Sequence, residues 1–358
     1  MRFLRVLSAK KMLKRQVIVS FVLSFVVMLL VPEEPGTIRQ DGGKEAKSLF
    51  QDQKANIPVE QGMGHAFEWK TLDWQGLAGE EVTLFVNSAV SSNRSGKESS
   101  SKHPSKPSSQ KKNLGSQKAP FATIDEALSH ISTLKKKNKV KVLLHVSGNF
   151  VSSYSYIITC PIKIVATSKR TQTDIEFRKN AGFVLSSSFL MLENLTIKRR
   201  ESVGEPRSVP LFYVSAGSLC LKTVKVDVKE GGAVFVFLSS KFEMDGVSMN
   251  SRQADYCNIM EVLASQGRIS SSQITATSRN VVAIDAKKSH VIVDSSSYEA
   301  VVPYFALFAR LSSSKLYLSN NSLSKSGGMD EEKVAIVLDA SSKLEEKNTT
   351  VSGFAKLL

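Results

Sequence analysis

Cysteine is scarce in this chain of 358 residues, and its scarcity excludes a fold built on disulfides. Only Cys160, Cys220 and Cys257 occur, far apart in the sequence, whereas disulfide frameworks use an even and denser set. Their spacing does not fit a zinc site either. We expect the three thiols to serve as small apolar side chains.

Histidine is equally scarce, and none of the five has a metal-binding partner at the spacing that a zinc site needs. The histidines are His65, His103, His130, His145 and His290. Serine is abundant, but no Gly-x-Ser-x-Gly sequence presents one as a nucleophile. The sequence therefore predicts no metal and no cofactor.

Acidic residues are absent from the first 15 positions, which carry six basic ones. An apolar run from Val17 to Val31 follows, and Pro32 closes it. This order is typical of an export signal that enters the membrane. The run has 15 residues, fewer than the roughly 20 of a spanning helix, and large residues stand where a signal peptidase needs small ones. We favour an uncleaved signal-anchor over a cleaved signal peptide. The bulk of the chain would then be membrane-anchored facing the periplasm or cell exterior, or secreted if the signal is cleaved.

The formal net charge of +15 is concentrated in two segments. Residues 1–15 contribute +6, and residues 87–119 contribute a further +6. The first segment is explained as a topology signal. The second is a Ser/Lys-rich stretch that cannot bury enough apolar surface to offset the entropy of ordering it. We therefore predict no nucleic-acid partner.

The chain divides by composition into four parts. These are a basic and hydrophobic signal/anchor (1–31), a juxtamembrane segment (32–81), an entry strand with a disordered Ser/Lys-rich loop (82–119), and a repeat domain (120–354). The juxtamembrane segment ends with Trp69 and Trp74. We expect these to pack on the adjoining domain or to lie at the membrane interface; stacking on sugars is the alternative.

One helix is predicted, over residues 123–135. Thr123 and Glu126 match a capping box, and apolar residues recur at helical spacing as far as Leu134. Three lysines at 135–137 complement the negative end of the helix dipole.

The remainder of the chain is an internal repeat of short strands separated by serine-rich bends. We aligned the first apolar residue of each central strand, and the intervals average about 26 residues. The aligned residues are Leu190, Leu219, Phe242, Ile269, Val291, Leu316 and Leu344. Such a unit cannot bury its apolar face alone, but coils stacked on one another can.

Alternation along the strands assigns their two faces. The predicted inward residues are Leu190, Leu192, Leu219, Leu221, Phe242, Met244, Val291, Val293, Leu316 and Leu318. Cys220 and Tyr317 are predicted to face outward. Asn194, Gly246, Asn320 and Asn321 are predicted at bends with left-handed backbone. The last coil, with "LEEKNTT", is too polar for deep burial and is expected to be a frayed or capping end.

These passages resemble the right-handed parallel β-helices of the pectin-lyase-like superfamily. The likeness lies in "TLFVNS" with "APFATIDEAL", in "VLLHVSGNF" with "YSYIITCPIKIVAT", and in "FVLSSSFLMLENLTIKR". It implies an all-β, single-stranded solenoid of about eight coils, with the helix capping the first. The long Ser/Lys insertion departs from the family pattern.

The resemblance says little about function, because this fold hosts lyases, hydrolases, esterases, adhesins and inert scaffolds. Its enzymes place clustered acids on the outer wall, where glycoside hydrolysis needs two carboxylates about 5–9 Å apart. The aspartates of the repeat fall singly on different coils; they are Asp227, Asp245, Asp285, Asp294 and Asp339. We therefore expect a non-catalytic cell-envelope protein that uses the β-helix as a scaffold or binding surface. A polysaccharide-active enzyme, a lyase or hydrolase, is the alternative.

The repeat also suggests a binding surface. Counting from Arg200 by the first three intervals gives Lys229, Arg252 and Arg279. Basic side chains about 4.8 Å apart repel one another unless something neutralises them. These four residues would form a ladder that binds an anionic polysaccharide or a lipid headgroup; a solvated edge is the plainer interpretation.

Overall fold

A computed structural model describes residues 69–90, 114–134, 140–167, 172–178, 181–200, 209–229, 233–301, 304–327 and 334–358. All of them belong to one compact unit, Phe67–Leu358. The predicted signal/anchor, most of the juxtamembrane segment, most of the Ser/Lys-rich loop and the three lysines at 135–137 lie outside the described residues. No helix among the described residues is long and apolar enough to cross a membrane.

Three parallel sheets make up the described structure, with ten, nine and eight strands. Sheet I contains β1 (Glu80–Asn87), β2 (Val140–Ser147), β5 (Ile162–Ala166), β8 (Phe189–Glu193), β11 (Ser218–Lys222), β14 (Lys241–Asp245), β17 (Gln266–Ser270), β20 (His290–Asp294), β23 (Lys315–Ser319) and β26 (Lys343–Lys347). Sheet II contains β3 (Asn149–Ser152), β6 (Asp174–Phe177), β9 (Thr196–Arg199), β12 (Lys225–Lys229), β15 (Ser248–Arg252), β18 (Gln273–Thr277), β21 (Ser297–Val301), β24 (Ser322–Ser326) and β27 (Thr350–Ser352). Sheet III contains β4 (Tyr156–Ile158), β7 (Phe183–Ser186), β10 (Phe212–Ser215), β13 (Phe235–Leu238), β16 (Tyr256–Leu263), β19 (Asn280–Lys287), β22 (Phe305–Ser312) and β25 (Ile336–Leu338).

From β2 onward the chain visits the sheets in the fixed order I, II, III, and each strand pairs with the strand three places later. This is a parallel β-helix, as the sequence predicts. Sheet III has eight strands, so about seven full turns separate its first strand from its last. The first strand of sheet I begins at Glu80, two residues before the predicted entry strand.

The helix α1 spans Ile124–Leu134 and buries Ile124, Ala127 and Ile131 in the core. Its first turn is closed by Thr123, whose Oγ1 accepts a hydrogen bond from the Glu126 amide at 3.1 Å. The Glu126 carboxylate accepts in return from the Ala122 amide at 3.0 Å, one residue before the partner that a capping box uses. That the helix caps the first coil stays a prediction.

The predicted inward residues of sheet I are confirmed, because all ten are at most 3% exposed. One aligned position is wrong. Phe242 pairs with Gly267, and Ile269 lies beside Met244. A Cβ on Gly267 would stand 1.9 Å from the Phe242 ring, so the ring of one coil fills the space of the missing side chain in the next. With this correction the coil lengths from Leu190 are 29, 23, 25, 24, 25 and 28 residues.

The serine-rich bends lead from sheet III to sheet I, and six of them begin with a residue in the left-handed conformation: Ser187, Ala216, Ser239, Ala264, Lys288 and Ser313. After each of the last four, the next residue is a buried serine that bridges two coils. We call Ser240, Ser265, Ser289, Ser314 and Ser342 the serine ladder. Each of the first four donates its amide to the Oγ of the next, at 2.9–3.1 Å.

A second set of bends leads from sheet I to sheet II. Asn194, Gly246 and Asn320 have positive φ there, as predicted. The prediction for Asn321 is wrong. Its side chain is buried and accepts a hydrogen bond from the Ser296 amide at 2.9 Å, because the residue after the left-handed one turns toward the interior.

The last coil forms the strands β26 and β27, which pair with the preceding coil although most of their residues are exposed. Phe354 reaches the core from the chain that follows β27 and is 8% exposed. The polar sequence at 344–350 is therefore compatible with pairing through the backbone alone.

Candidate functional site: a groove on the outer wall of sheet III

The three longest strands of sheet III, β16, β19 and β22, each contain a bend. In each strand two successive residues face the core, for example Ile259 and Met260 in β16. Side chains alternate in a straight strand, so two inward neighbours require the strand to turn between them. The outward side chains on either side of the bend approach each other, and the Asn258 amide donates to the Glu261 carboxylate at 2.9 Å.

The floor of the resulting depression is formed by Asn258, Val282 and Leu307. They are aligned across the three strands, with Asn258 opposite Val282 and Val282 opposite Leu307. Each is at most 4% exposed although none belongs to the core cluster. Outward residues this deeply buried indicate a concave surface, and we call it the outer groove.

One wall of the outer groove is charged. Glu261, Asp285 and Arg310 occupy the same position on β16, β19 and β22, and Arg310 donates from Nη2 to Asp285 Oδ2 at 2.5 Å. Glu261 is exposed, yet the desolvation of its carboxyl by neighbouring groups raises the pKa of that carboxyl, and the charge of Asp285 raises it further. The hydrogen bond with Asp285 raises the pKa of Arg310. The wall thus holds the ion pair of Arg310 with Asp285 beside a carboxyl, Glu261, that retains its proton more readily than usual.

The opposite wall is aromatic. Tyr256 and Phe305 begin β16 and β22 and are 45% and 37% exposed. The Tyr256 hydroxyl interacts across the groove with Arg310, and burial is the main cause that raises the pKa of this phenol. Tyr304 adds a third exposed ring at the rim. Exposed rings beside paired polar groups are what a sugar ring with an apolar face and hydroxyl edges would contact.

The Arg279 backbone supports this rim. Its carbonyl oxygen accepts from the amides of Tyr304 and Phe305 at 2.7 and 3.0 Å, and its guanidinium lies 3.6 Å from Asp255. This placement corrects the predicted basic ladder, because the register sets Thr277, and not Arg279, beside Arg252. The error follows from the wrong alignment at Ile269, which shifted the count by two residues.

Of the remaining ladder residues, Lys229 and Arg252 are paired at the ends of β12 and β15. Arg200 follows β9 in the adjoining coil, and its guanidinium lies 2.9 Å from Glu176. Glu176 therefore already neutralises Arg200, one residue of the predicted ladder. Binding of an anion by the remaining residues stays a prediction.

The outer face of sheet I is covered in part by the chain that precedes β1. Trp74 packs on Phe189, Met191 and Cys220 and is 4% exposed. The Leu72 amide donates to Glu243 at 2.8 Å. The packing expectation for Trp74 is thus confirmed. Cys220 faces outward as predicted but is fully buried beneath this segment, and burial raises the pKa of its thiol to about 12.

Sequence reasoning missed the outer groove because it treated Asp285 as a single acid and did not consider Glu261. A usable signal was present. Glu261, Asp285 and Arg310 are separated by 24 and 25 residues, which are lengths of one coil. Among the described residues no group of three or more histidines, cysteines or acids could hold a metal ion.

The sheet topology defines a parallel β-helix built of three sheets. No protein-family model matches the sequence, and a comparison with curated proteins finds no match. A comparison with solved structures finds the crystal structure of pectate lyase Pel9A, with 10% sequence identity and a TM-score of 0.30. The similarity covers 76% of this chain and 80% of that one.

Proposed function

We propose that this protein is a cell-envelope β-helix that binds a polysaccharide in its outer groove. The observation that carries the proposal is the convergence of aromatic and charged side chains across the bent strands of sheet III. The location in the envelope is supported by the basic N-terminus and the apolar run Val17–Val31, which favour export.

The groove suits a chain of sugars because its two walls offer different contacts. Tyr256 and Phe305 supply flat apolar surfaces, and Arg310 with Asp285 supplies fixed donors and acceptors for paired hydroxyls. Arg310 is held by Asp285 and Tyr256, so these side chains lose little conformational freedom on binding. The floor residues Val282 and Leu307 keep water out from beneath the ligand.

Binding of the full-length chain to a panel of envelope and plant polysaccharides tests the proposal. Tyr256→Ala should weaken binding by roughly two- to tenfold, since an aromatic contact contributes about 0.5–1.5 kcal/mol. Arg310→Gln should weaken it by roughly tenfold or more, because hydrogen bonds to charged groups contribute about 1.5–3 kcal/mol. Tyr154→Ala is the matched control, since Tyr154 is 78% exposed on another coil. Equal affinity of all four proteins for every polysaccharide bound would refute the proposal.

Glycoside hydrolysis is a second candidate function, favoured by Glu261 beside Asp285. Their strands are neighbours in register, about 4.8 Å apart, which brings two carboxyls close to the separation of a retaining pair. Glu261, with its raised pKa, would give its proton to the glycosidic oxygen as the bond from that oxygen to the anomeric carbon breaks, and Asp285 would form an ester at that carbon. Water, giving its proton to Glu261, would then hydrolyse the ester and restore both carboxyl groups. The hydrogen bond from Arg310 to Asp285 opposes this role, because it occupies the carboxylate that would attack the sugar.

Release of reducing ends distinguishes the two functions. If the groove hydrolyses its ligand, Glu261→Gln should abolish release while binding persists, and the rate should fall as pH rises through the raised pKa of Glu261. Glu299→Gln, on the outer face of sheet II, should leave the rate unchanged. If the wild type releases no reducing ends from any polysaccharide that it binds, hydrolysis is refuted and binding remains as the function.

A further inference from the structure

A row of basic side chains runs along sheet I at the positions where its strands begin. The first residues of neighbouring strands from β14 to β26 are in register with one another. We call them the basic row; they are Lys241, Gln266, His290, Lys315 and Lys343. Adjacent strands are about 4.8 Å apart, so the row is roughly 19 Å long. The lysines are exposed, and Gln266 and His290 are partly exposed.

Several other outward cations of this protein are paired with an acid on the adjacent coil. These pairs are Lys141 with Glu81, Lys163 with Glu193, Lys198 with Asp174, and Arg310 with Asp285. The basic row departs from this arrangement, because Lys241 and Lys315 form no ion pair within the described structure. Lys343 is paired with Glu345 of its own strand at 2.9 Å.

Like charges therefore stand beside one another in the row. Lys315 lies between His290 on one neighbouring strand and Lys343 on the other, and like charges in register destabilise a sheet. Burial is the main cause that lowers the pKa of His290, and the charge of Lys315 lowers it further. Lys288, exposed at the bend two residues before His290, adds another cation to the middle of the row.

The described acids around the row are held by other groups or lie at the far ends of the strands. Glu243 accepts a hydrogen bond from the chain that precedes β1, and Asp339 accepts from hydroxyls of the adjacent bend. Asp245 and Asp294 end β14 and β20, four residues beyond the row. An anion from outside the protein could therefore approach the row without displacing an ion pair of Lys241 or Lys315.

The geometry and the residue types of the row favour one kind of anion. The cations form a line, so a linear polymer can contact several of them at once, which a single anion cannot do. Lysine presents a compact charge with three rotatable donors, which suits a phosphate group, whereas the planar fork of arginine suits a carboxylate. The row contains lysines and no arginine.

We propose that the basic row binds a linear polymer of phosphate groups, which lies parallel to the axis of the β-helix against Lys241, Lys315 and Lys343. The row is on sheet I and the outer groove is on sheet III, so this inference does not depend on the proposed function.

Titration of the full-length chain with fluorescently labelled inorganic polyphosphate, at several salt concentrations, tests the proposal. Gln266→Lys completes the row and should strengthen binding by roughly two- to fivefold, as one exposed ion pair would. The loss of binding with salt should also become steeper. Gln273→Lys is the matched control, because Gln273 is exposed and begins β18, the next strand of the same coil, in sheet II.

Changing the three lysines of the row to glutamine should weaken binding by roughly tenfold or more. The control changes Lys118, Lys225 and Lys356, which are exposed outside sheet I, and should have a smaller effect. Equal losses in the two triple variants would overturn the proposal, because only the overall charge would then matter. Equal gains in Gln266→Lys and Gln273→Lys would overturn it for the same reason.

The pKa of His290, measured by nuclear magnetic resonance, shows where the polymer lies. Bound phosphate groups favour the charged imidazole, so this pKa should rise when polyphosphate is added. If polyphosphate binds while the pKa of His290 stays the same, the polymer lies on another basic segment and the proposal is wrong. Hyaluronan, a polymer of carboxylates, should bind the row more weakly, and equal affinities for the two polymers would refute the preference for phosphate.

Discussion

Replacing Gly267 by alanine tests how tightly the coils of this β-helix interlock. Gly267 lies in register with Phe242 of the preceding coil, and a Cβ there would stand 1.9–2.2 Å from three atoms of the Phe242 ring. The ring cannot move away freely, because it stacks on Phe237 with 4.2 Å between centroids. The glycine is needed for space and not for an unusual φ, since its φ is not positive.

The expected cost follows from two opposing terms. Inserting a methyl group into a packed core destabilises by about 1–3 kcal/mol, and the loss of backbone freedom in the unfolded chain returns about 0.4–1 kcal/mol. Gly267→Ala should therefore lower the free energy of unfolding by about 1–2 kcal/mol. In the Phe242→Leu background the outer ring atoms are gone, so the same substitution should be neutral or stabilising, with a coupling of about 1–3 kcal/mol.

Urea unfolding of the four proteins of this double-mutant cycle, followed by circular dichroism, measures the coupling. Gly76→Ala is the matched control, because the added Cβ would meet only the flexible Asp73 carboxylate at 3.2 Å. The reasoning fails if Gly267→Ala costs the same in both backgrounds. It fails equally if the substitution is as mild as Gly76→Ala.

Three further predictions follow from burial, hydrogen bonding and charge. Leu221→Asp, at a fully buried position, should prevent soluble expression, whereas Lys222→Asp at the next, partly exposed position should be tolerated; expression yields of equal size would contradict the register. Ser289→Ala removes the acceptor of the Ser265 amide and should cost about 1–3 kcal/mol in urea unfolding, and a cost near zero would show that water replaces the hydroxyl. The raised pKa of Glu261 means that the folded state favours the protonated carboxyl, so stability is fullest below the ordinary glutamate pKa and falls as pH rises through the raised value. Glu261→Gln should remove this fall. If the melting temperatures of both proteins changed with pH in the same way between pH 4 and 8, the prediction would be refuted.

Alternation and repetition were enough to predict the solenoid and its inward residues. The assignment of Leu219 and Leu221 to the core required only that adjacent side chains point to opposite faces. The alignment failed at Ile269 because it assumed an apolar residue at every equivalent position. That position holds Gly267, because the Phe242 ring of the preceding coil also fills the space of a side chain there. The sequence of one coil does not show which space the side chains of the adjacent coil fill.

The bend that shapes the outer groove was beyond prediction from the sequence for a different reason. Whether Asn258 can reach Glu261 depends on a bend in the middle of a strand, and two successive apolar residues such as Ile259 and Met260 do not reveal a bend by themselves. To predict that Glu261 lies beside Asp285, only the correct coil length was needed. To predict the contact of Tyr256 with Arg310, the three-dimensional path of two strands was needed.

The serine ladder repeats the same hydrogen bond from one coil to the next. Every step joins an amide to the hydroxyl of the next bend, and it does so whether the intervening chain has 24, 25 or 28 residues. Excision of residues 289–313 would bring Ser314 to the place that Ser289 held, so the hydrogen bond from Ser265 could re-form while Gly267 stays beside Phe242. The same cut would remove Arg310 and set Asp285 beside Val337. Gain or loss of a single coil in the gene would therefore change which charged residues line the outer groove, while the remaining coils keep the hydrogen bonds of the serine ladder.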